Sequence, residues 1–456
     1  MSKNGKFFDR EYFKVLLTLA LPITLQNFLV FSLNMLDTFM IGKVGEYELA
    51  AVGVANKLSF LFHITAAGVA AGCSIYMAQY WGKRDVVGIR KVMGAGLAGC
   101  FFVSLFFTAA AMLFPAHILQ LFSNDGIVIA LGKEYLIAVC ISYIFTGATI
   151  LFNNFLMCIG HAKTPMYVSF FAILCNGILN YILIFGKFGF PAMGVRGAAI
   201  ATVTARMFEA AVTAFLIFSR HSPLQGNVVN LFVFDFVFIR QLAGKSAPIV
   251  LNEMLYALGT WMYTIAYGNI GTGALAAAQI TQTVSDLLFV LAFGISGAAL
   301  VIVGNLIGAG DEARAVQYAW KITASCLILG VFTGGIIVIA AGYIVGFFNI
   351  TAQTAQTATS ILRIQGAFGA FATTGTMLIV GVFRGAGDAS YAFKAEMLAM
   401  WCIAIPLAFL GSYVWGFTAV AVAILMQTEG IVKFVIGMLH LKRGKWIHHV
   451  DKTSAV

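Results

Sequence analysis

Asp37 in LNMLDTFMIG, Glu253 in PIVLNEMLYAL and Asp286 in TVSDLLFVL stand inside apolar runs. An ionised carboxylate at membrane depth costs several kcal/mol unless it is protonated, hydrated or paired. Such a group is suited to taking up and releasing a proton, or to holding Na⁺ with oxygen ligands from its neighbours. A second reading of Asp37 stays open, in which it lies wet at the outer end of its run and caps a helix. Glu253 has no cation within four positions, so it needs a partner from another helix or a proton, unless it lies on the loop side. Asn176 and Asn180 are four apart and present their oxygens on one face of one helical turn, as a hard cation site requires. Asparagines in lipid also bond helix to helix, and the spacing alone does not choose. Gln26 and Asn27 in the first run and Gln282 in the eighth are the polar groups best suited to line a cavity. Candidate bases for Asp286 are Lys57, His63, Arg206 and Arg363. Arg206 with Glu209, Lys394 with Glu396, and Glu429 with Lys433 are spaced as internal structural pairs.

The elements that hold these groups follow from composition. The 456 residues are 61% hydrophobic and 10% charged, against about 25% charged in a soluble domain. Too few charges remain to cover a water-facing surface, so the medium is lipid. Apolar runs of roughly 20 residues or more fall near 15–41, 50–80, 91–115, 130–158, 165–186, 194–219, 246–269, 273–306, 317–345, 359–383, 391–414 and 417–440. They are continuously apolar, which reads as helices rather than the alternating strands of a barrel. The 47 glycines, spread through the runs, permit close helix packing.

The chain repeats. One shift carries Pro22 onto Pro248, Gly42 onto Gly268, Leu49–Ala51 onto Leu275–Ala277, Gly68 onto Gly294 and Asp85 onto Asp311. In this register Asp37 falls on Tyr263, Glu253 on Asn27 and Asp286 on Phe60, so each half carries acids that the other lacks. The longest polar interruption, 220–245, divides the chain into bundles at 1–219 and 246–456. Six spans return the chain to the same side, so the halves relate by an axis along the membrane normal. Lys and Arg gather at the N-terminus (Lys3, Lys6, Arg10, Lys14), after the even-numbered spans (among them Lys83, Arg84, Arg240, Arg314, Lys321 and Arg384) and in the tail. The opposite loops hold little beyond Lys43, Lys187 and Arg196, which puts both termini in the cytoplasm. The net charge of +10 is thereby a matter of topology rather than nucleic-acid binding. Residues 2–14 read as an amphipathic lead-in on the inner surface, with no cleavable signal peptide. The seven cysteines sit in apolar runs without a CxxC pair and read as packing residues. GAG at 308–310 and 385–387 marks tight turns before Asp311 and Asp388.

The segments LDTFMIGKVG (36–45), GHAKTPMYVSF (160–170), NGILNYILIFG (176–186), GVRGAAIATV (194–203) and FRGAGDASY (383–391) resemble the multidrug and toxic compound extrusion (MATE) transporters, bacterial NorM/DinF-like, over nearly the whole chain. The resemblance implies an all-α integral membrane fold of twelve transmembrane helices, in two pseudo-symmetric six-helix bundles that form a V. It implies efflux of amphipathic or cationic compounds in exchange for Na⁺ or H⁺, with no other cofactor, by a monomer in the cell membrane. It further implies that Asp37, Asn176, Asn180 and Thr202 form the cation site of the first lobe. Some members carry Asp where this chain has Asn180, which weakens a two-acid proton relay there. The NorM-like branch binds Na⁺ in the second lobe through a Glu at the place of Glu253 and an Asp where this chain has Thr373. A lipid-linked precursor flippase is the rival reading, but it wants a cationic cavity where this chain has deep acids. No GxxxxGK[ST], HExxH or GxSxG segment is present, so neither an ATP-driven pump nor an enzyme of those classes is expected.

Overall fold

The computed structural model describes residues 9–123, 125–219, 224, 231, 236–348 and 350–449. Most of the expected linker (220–223, 225–230 and 232–235), residues 2–8 of the lead-in and 450–456 of the tail lie outside the described residues. Among the described residues every regular element is helical. The spans are α1 (Arg10–Gly42), α2 (Glu46–Lys83), α3 (Val86–Leu113), α4 (Gly126–Val139 with Ser142–Cys158), α5 (Lys163–Phe185) and α6 (Gly194–Phe218). After them come α7 (Phe236–Ile270), α8 (Thr272–Gly308), α9 (Glu312–Gly346), α10 (Ala352–Phe383), α11 (Ala389–Val414) and α12 (Ala419–Arg443).

Ten described helices are long and apolar enough to cross a membrane, and the two parts of α4 together make an eleventh. α7 is the twelfth span; it is 35 residues long, but Asn252, Glu253, Thr260 and Thr264 dilute its apolar run. The run read at 130–158 is bent by 52° between Val139 and Ser142. Cys140 O still accepts from Tyr143 N–H at 3.1 Å across the bend. Two hydroxyls of α3 add donors there: Thr108 Oγ1 donates to Cys140 O at 3.0 Å and Ser104 Oγ to Tyr143 O at 3.0 Å. Such side-chain donors help satisfy backbone carbonyls where a helix in lipid is interrupted.

The packing forms two compact units. One comprises Leu25–Trp81 and Asp85–Val250; the other comprises the described residues up to Thr24, Gly82–Arg84 and the described part of Leu251–Val456. The shift that relates the halves carries Thr24 onto Val250, so the units divide at equivalent points of α1 and α7. Glycines explain why. In the first unit a Cβ at Gly68 of α2 would lie 2.8 Å from Val250 Cα. In the second, a Cβ at its repeat mate Gly294 of α8 would run into Thr24 Oγ1 and lie 3.0 Å from Ala20 O. Each long second helix thus admits the backbone of a first helix at one small residue. Pro22 and Pro248, two residues before these points, each delete a helical hydrogen bond.

The first unit's buried cluster includes Ile41, Phe62, Tyr143, Ile184, Val195 and Ala199, with Phe62 stacked on Tyr143 at 4.4 Å. Ile41 and Ile184 stand one turn beyond Asp37 and Asn180, so the same packing fixes the helices that carry the polar groups.

Candidate functional site

Asp37 lies five residues before the end of α1, Asn176 and Asn180 on adjacent turns of α5, and Thr202 on α6. The fold brings all four together in the first unit. Asn180 Nδ2 donates to Asp37 Oδ1 at 2.6 Å and to Asn176 Oδ1 at 2.9 Å, and Asn176 Nδ2 reaches Thr202 Oγ1 at 3.5 Å. One amide NH₂ carries two protons and serves both acceptors. Asn180 Oδ1 is left buried without a partner. Rotating that amide exchanges its N and O, and would turn a donor to the carboxylate into an oxygen ligand beside it. A proton on Asp37 would give the orphan Oδ1 a donor; Na⁺ would take it as a ligand together with Asp37, Asn176 and Thr202. The donor set therefore fits either ion.

A second buried network lies in the same unit. Glu209, 3% exposed, accepts from Ser169 Oγ at 2.8 Å and from Arg206 Nη1 at 2.7 Å. Gln26 Nε2 reaches Ser169 Oγ at 3.4 Å, and Gln26 Oε1 is a further buried orphan. The expected Arg206–Glu209 pair is present. A cavity of about 10 Å³ is lined by Asn176 and Thr202 from the first group and by Ser169, Arg206 and Glu209 from the second. It has room for about one water molecule. Of the other first-span polar groups, Asn27 is half-buried.

The second unit differs from expectation. Glu253 accepts from Arg384 Nη1 at 2.7 Å. Arg384, read from sequence as a loop charge, is only 3% exposed. It follows a π-helical stretch, Leu378–Phe383, which turns the side chains beyond it relative to an α-helix. Lys321, also read as a loop charge, is buried against Asp9 at 2.7 Å. Glu396 does not take Lys394 as its partner. Lys433 on α12 donates to Glu396 at 2.5 Å and to Glu429 at 2.6 Å, and Tyr263 Oη donates to Glu429 at 2.5 Å. Asp286 accepts from Gln282 Nε2 at 2.6 Å, one turn back on its own helix. Thr373 Oγ1 bonds back to Gly369 O at 2.8 Å. Sequence reasoning missed Tyr263 as a site residue, although the repeat register had pointed to it as the counterpart of Asp37.

The MatE family model matches residues 22–182 and 248–410, two segments whose starts coincide with the repeated prolines. A probable multidrug resistance protein NorM of Bradyrhizobium diazoefficiens is 30% identical over 418 residues, which is 89% of this chain and 88% of the relative. The chain belongs to the MatE family. A probable NorM of Thermotoga maritima is 25% identical over 96% of the chain and 93% of its own length. The fold is that of a solved MATE structure in complex with MaL6, with TM-score 0.86, 18% identity, and 95% and 97% of the two chains covered. It is also that of an outward-facing multidrug resistance MATE family transporter of the MOP superfamily, with TM-score 0.84, 17% identity and the same coverage. This MatE protein is a multi-pass membrane transporter with the twelve-helix, two-lobe architecture of its family. In it Glu253 accepts from Arg384, and the Thr373 hydroxyl donates to a carbonyl of its own helix.

Proposed function

We propose that this transporter exports amphipathic, mainly cationic organic compounds from the cytoplasm in exchange for Na⁺ or H⁺, and that the ion binds at Asp37 with Asn176, Asn180 and Thr202. The observation that carries the ion site is the Asp37 carboxylate on Asn180, beside a buried amide oxygen with no partner. The multidrug resistance names of the NorM relatives support the substrate class; nothing in them favours the lipid-precursor flippase. The ion reaches Asp37 from outside, neutralises it, changes the packing of α1, α5 and α6, and lowers the affinity for drug. Exchange is coupled because ion and drug stabilise different states or compete for one site. Glu253, Asp286 and Gln282 are secondary candidates for cation or substrate contact. The protein acts as a monomer in the cell membrane with both termini cytoplasmic.

The test is drug extrusion from proteoliposomes under a Na⁺ gradient or a pH gradient imposed separately. One gradient is expected to drive extrusion, and Asp37→Asn to abolish it while Glu253→Gln does not. Loss with Glu253→Gln alone would move coupling to the second lobe.

A further inference from the structure

The second lobe holds a cation of its own. The side chain of Lys433 on α12 is 3% exposed, and its ammonium donates to Glu396 Oε1 of α11 at 2.5 Å and to Glu429 Oε1 of α12 at 2.6 Å. Tyr263 Oη of α7 donates to the other oxygen of Glu429 at 2.5 Å. The ring of Tyr256, two turns earlier on α7, has its centre 5.6 Å from the ammonium. Two carboxylates and an aromatic face around one NH₃⁺ are the groups that recognise an ammonium ion. The backbone that carries the lysine is fixed as well: a Cβ at Gly375 of α10 would lie 2.7 Å from Phe434 N and 2.9 Å from Lys433 Cβ. The first half has none of the three charges at the matching places. The repeat lays Tyr263 on Asp37. Aligned on the left-handed Gly160 and Gly387, Glu396 falls on Ser169. With Gly194–Ala201 laid on Gly416–Ala423, Glu429 falls on Met207 and Lys433 on Ala211. The first lobe places an acid on α1 and holds it with an amide. The second places a hydroxyl there, sets its acids on α11 and α12, and supplies the base.

We propose that Glu396, Glu429 and Tyr263 form a binding site for a primary ammonium group, and that Lys433 keeps this site filled as a tethered ligand. Each acid at membrane depth needs a cation or a proton, and these two share a cation that cannot leave. A group on the same chain acts at an effective concentration that a free cation does not match. The site is therefore closed to free Na⁺ and to the ammonium head of a drug for as long as the lysine is in place. One consequence depends on the Asp37 reading: with this group closed, exchange runs on the first-lobe acid. Glu429 is the more open of the two carboxylates, with 15% of its side chain exposed against 2% for Glu396. A small amine enters from that side once the lysine is removed.

The test is chemical rescue of Lys433→Ala in the full-length protein in detergent, read by thermal unfolding. The probe is n-propylammonium chloride, whose three carbons and nitrogen replace the atoms that the substitution deletes; NaCl at the same concentration is the reference and n-propanol the neutral control. Propylammonium is expected to raise the melting temperature of Lys433→Ala by about 2 °C or more over NaCl, in a saturable way. Wild type, with its site filled, is expected to show no such rise, and n-propanol is expected to give none in either protein. Adding Glu396→Gln and Glu429→Gln together to Lys433→Ala is expected to abolish the rise. Should Lys433→Ala alone fail to fold, Lys433→Ala with Glu396→Gln strands one acid fewer; it is expected to keep a rise through Glu429 and Tyr263, and to lose it when Glu429→Gln is added. An equal rise in wild type, a rise with n-propanol, or no rise in the variants that keep Glu429 overturns the proposal. The melting assay imposes no gradient, so its failure is read apart from that of the extrusion assay on Asp37→Asn.

Discussion

A charge taken out of water must be paired, protonated or left near water, and this chain uses different answers at different residues. Lys433 stands between Glu396 and Glu429, with Tyr256 beneath its ammonium at 5.6 Å. Removing the base alone strands two acids. Lys433→Met is expected to destabilise by about 3–5 kcal/mol, and converting Glu396 and Glu429 to Gln as well should recover most of that. Thermal unfolding in detergent would read both. Asp37 carries the opposite expectation: Asp37→Asn leaves folding intact and costs at least tenfold in gradient-driven drug extrusion. At the N-terminus, Asp9 caps α1 through Tyr12 N–H at 2.6 Å and meets the buried Lys321. The hydrogen bond from Lys321, aided by that of Tyr12, holds the Asp9 carboxyl below its usual 3.8. Because the folded value is depressed, the stabilisation is present above about pH 4 and lost as pH falls through the folded value. Asp9→Asn should therefore lower the melting temperature at neutral pH, with a gap to wild type that closes in strong acid.

At the scale of elements, the helix ends repeat more faithfully than the sequence does. After α2, α4, α8 and α10 a residue in left-handed conformation (Arg84, Gly160, Gly310, Gly387; φ between 60° and 85°) turns the chain. The following N–H then bonds back to a carbonyl of the last helical turn: Asp85 to Tyr80, His161 to Leu156, Asp311 to Leu306 and Asp388 to Phe383, at 2.8 to 3.0 Å. This is the Schellman arrangement, which glycine enters without strain. Asp85, Asp311 and Asp388 then cap the next helix. The first half tolerates Arg84 where its repeat mate is Gly310. Gly310→Ala should cost about 1 kcal/mol, and Arg84→Gly should gain up to about as much, since only the backbone conformation is at stake. Both are checked by denaturation of the purified protein. The GAG segments were legible as turns in the sequence because glycine marks the position; the Arg84 turn was hidden because arginine does not.

For the whole molecule, the glycine contacts decide which helix belongs to which unit. A Cβ at Gly72 of α2 would lie 2.8 Å from Ser246 Cα on α7. Because that neighbour is backbone, it cannot yield by changing rotamer. Gly72→Val is expected to cost about 1–3 kcal/mol through overpacking, seen as reduced yield and a lower melting temperature. The same substitution at Gly53, where a Cβ meets nothing within 4 Å, should be close to neutral.

The amino-acid sequence by itself determined the medium, the helical spans and the duplication, because each is written in local composition or in fixed spacing; the grouping of Asp37 with Asn176, Asn180 and Thr202 was implied by the family resemblance. Asn176 and Asn180 share a helix face whatever surrounds them, and an acid in an apolar run is conspicuous wherever it lies. Only the tertiary structure decided the partners. Arg384 and Lys321 looked like loop charges, since a buried base at a helix end has the same neighbours in sequence as an exposed one. Lys433 took Glu396 from another helix, a choice that no local spacing encodes. Asp37 meets Asn180 because α1 packs on α5, and Ser169 of α5 reaches Glu209 of α6 because these two helices line one small cavity. Pairing energies in lipid depend on distances of a few ångströms between helices far apart in the chain, and those distances are set by packing.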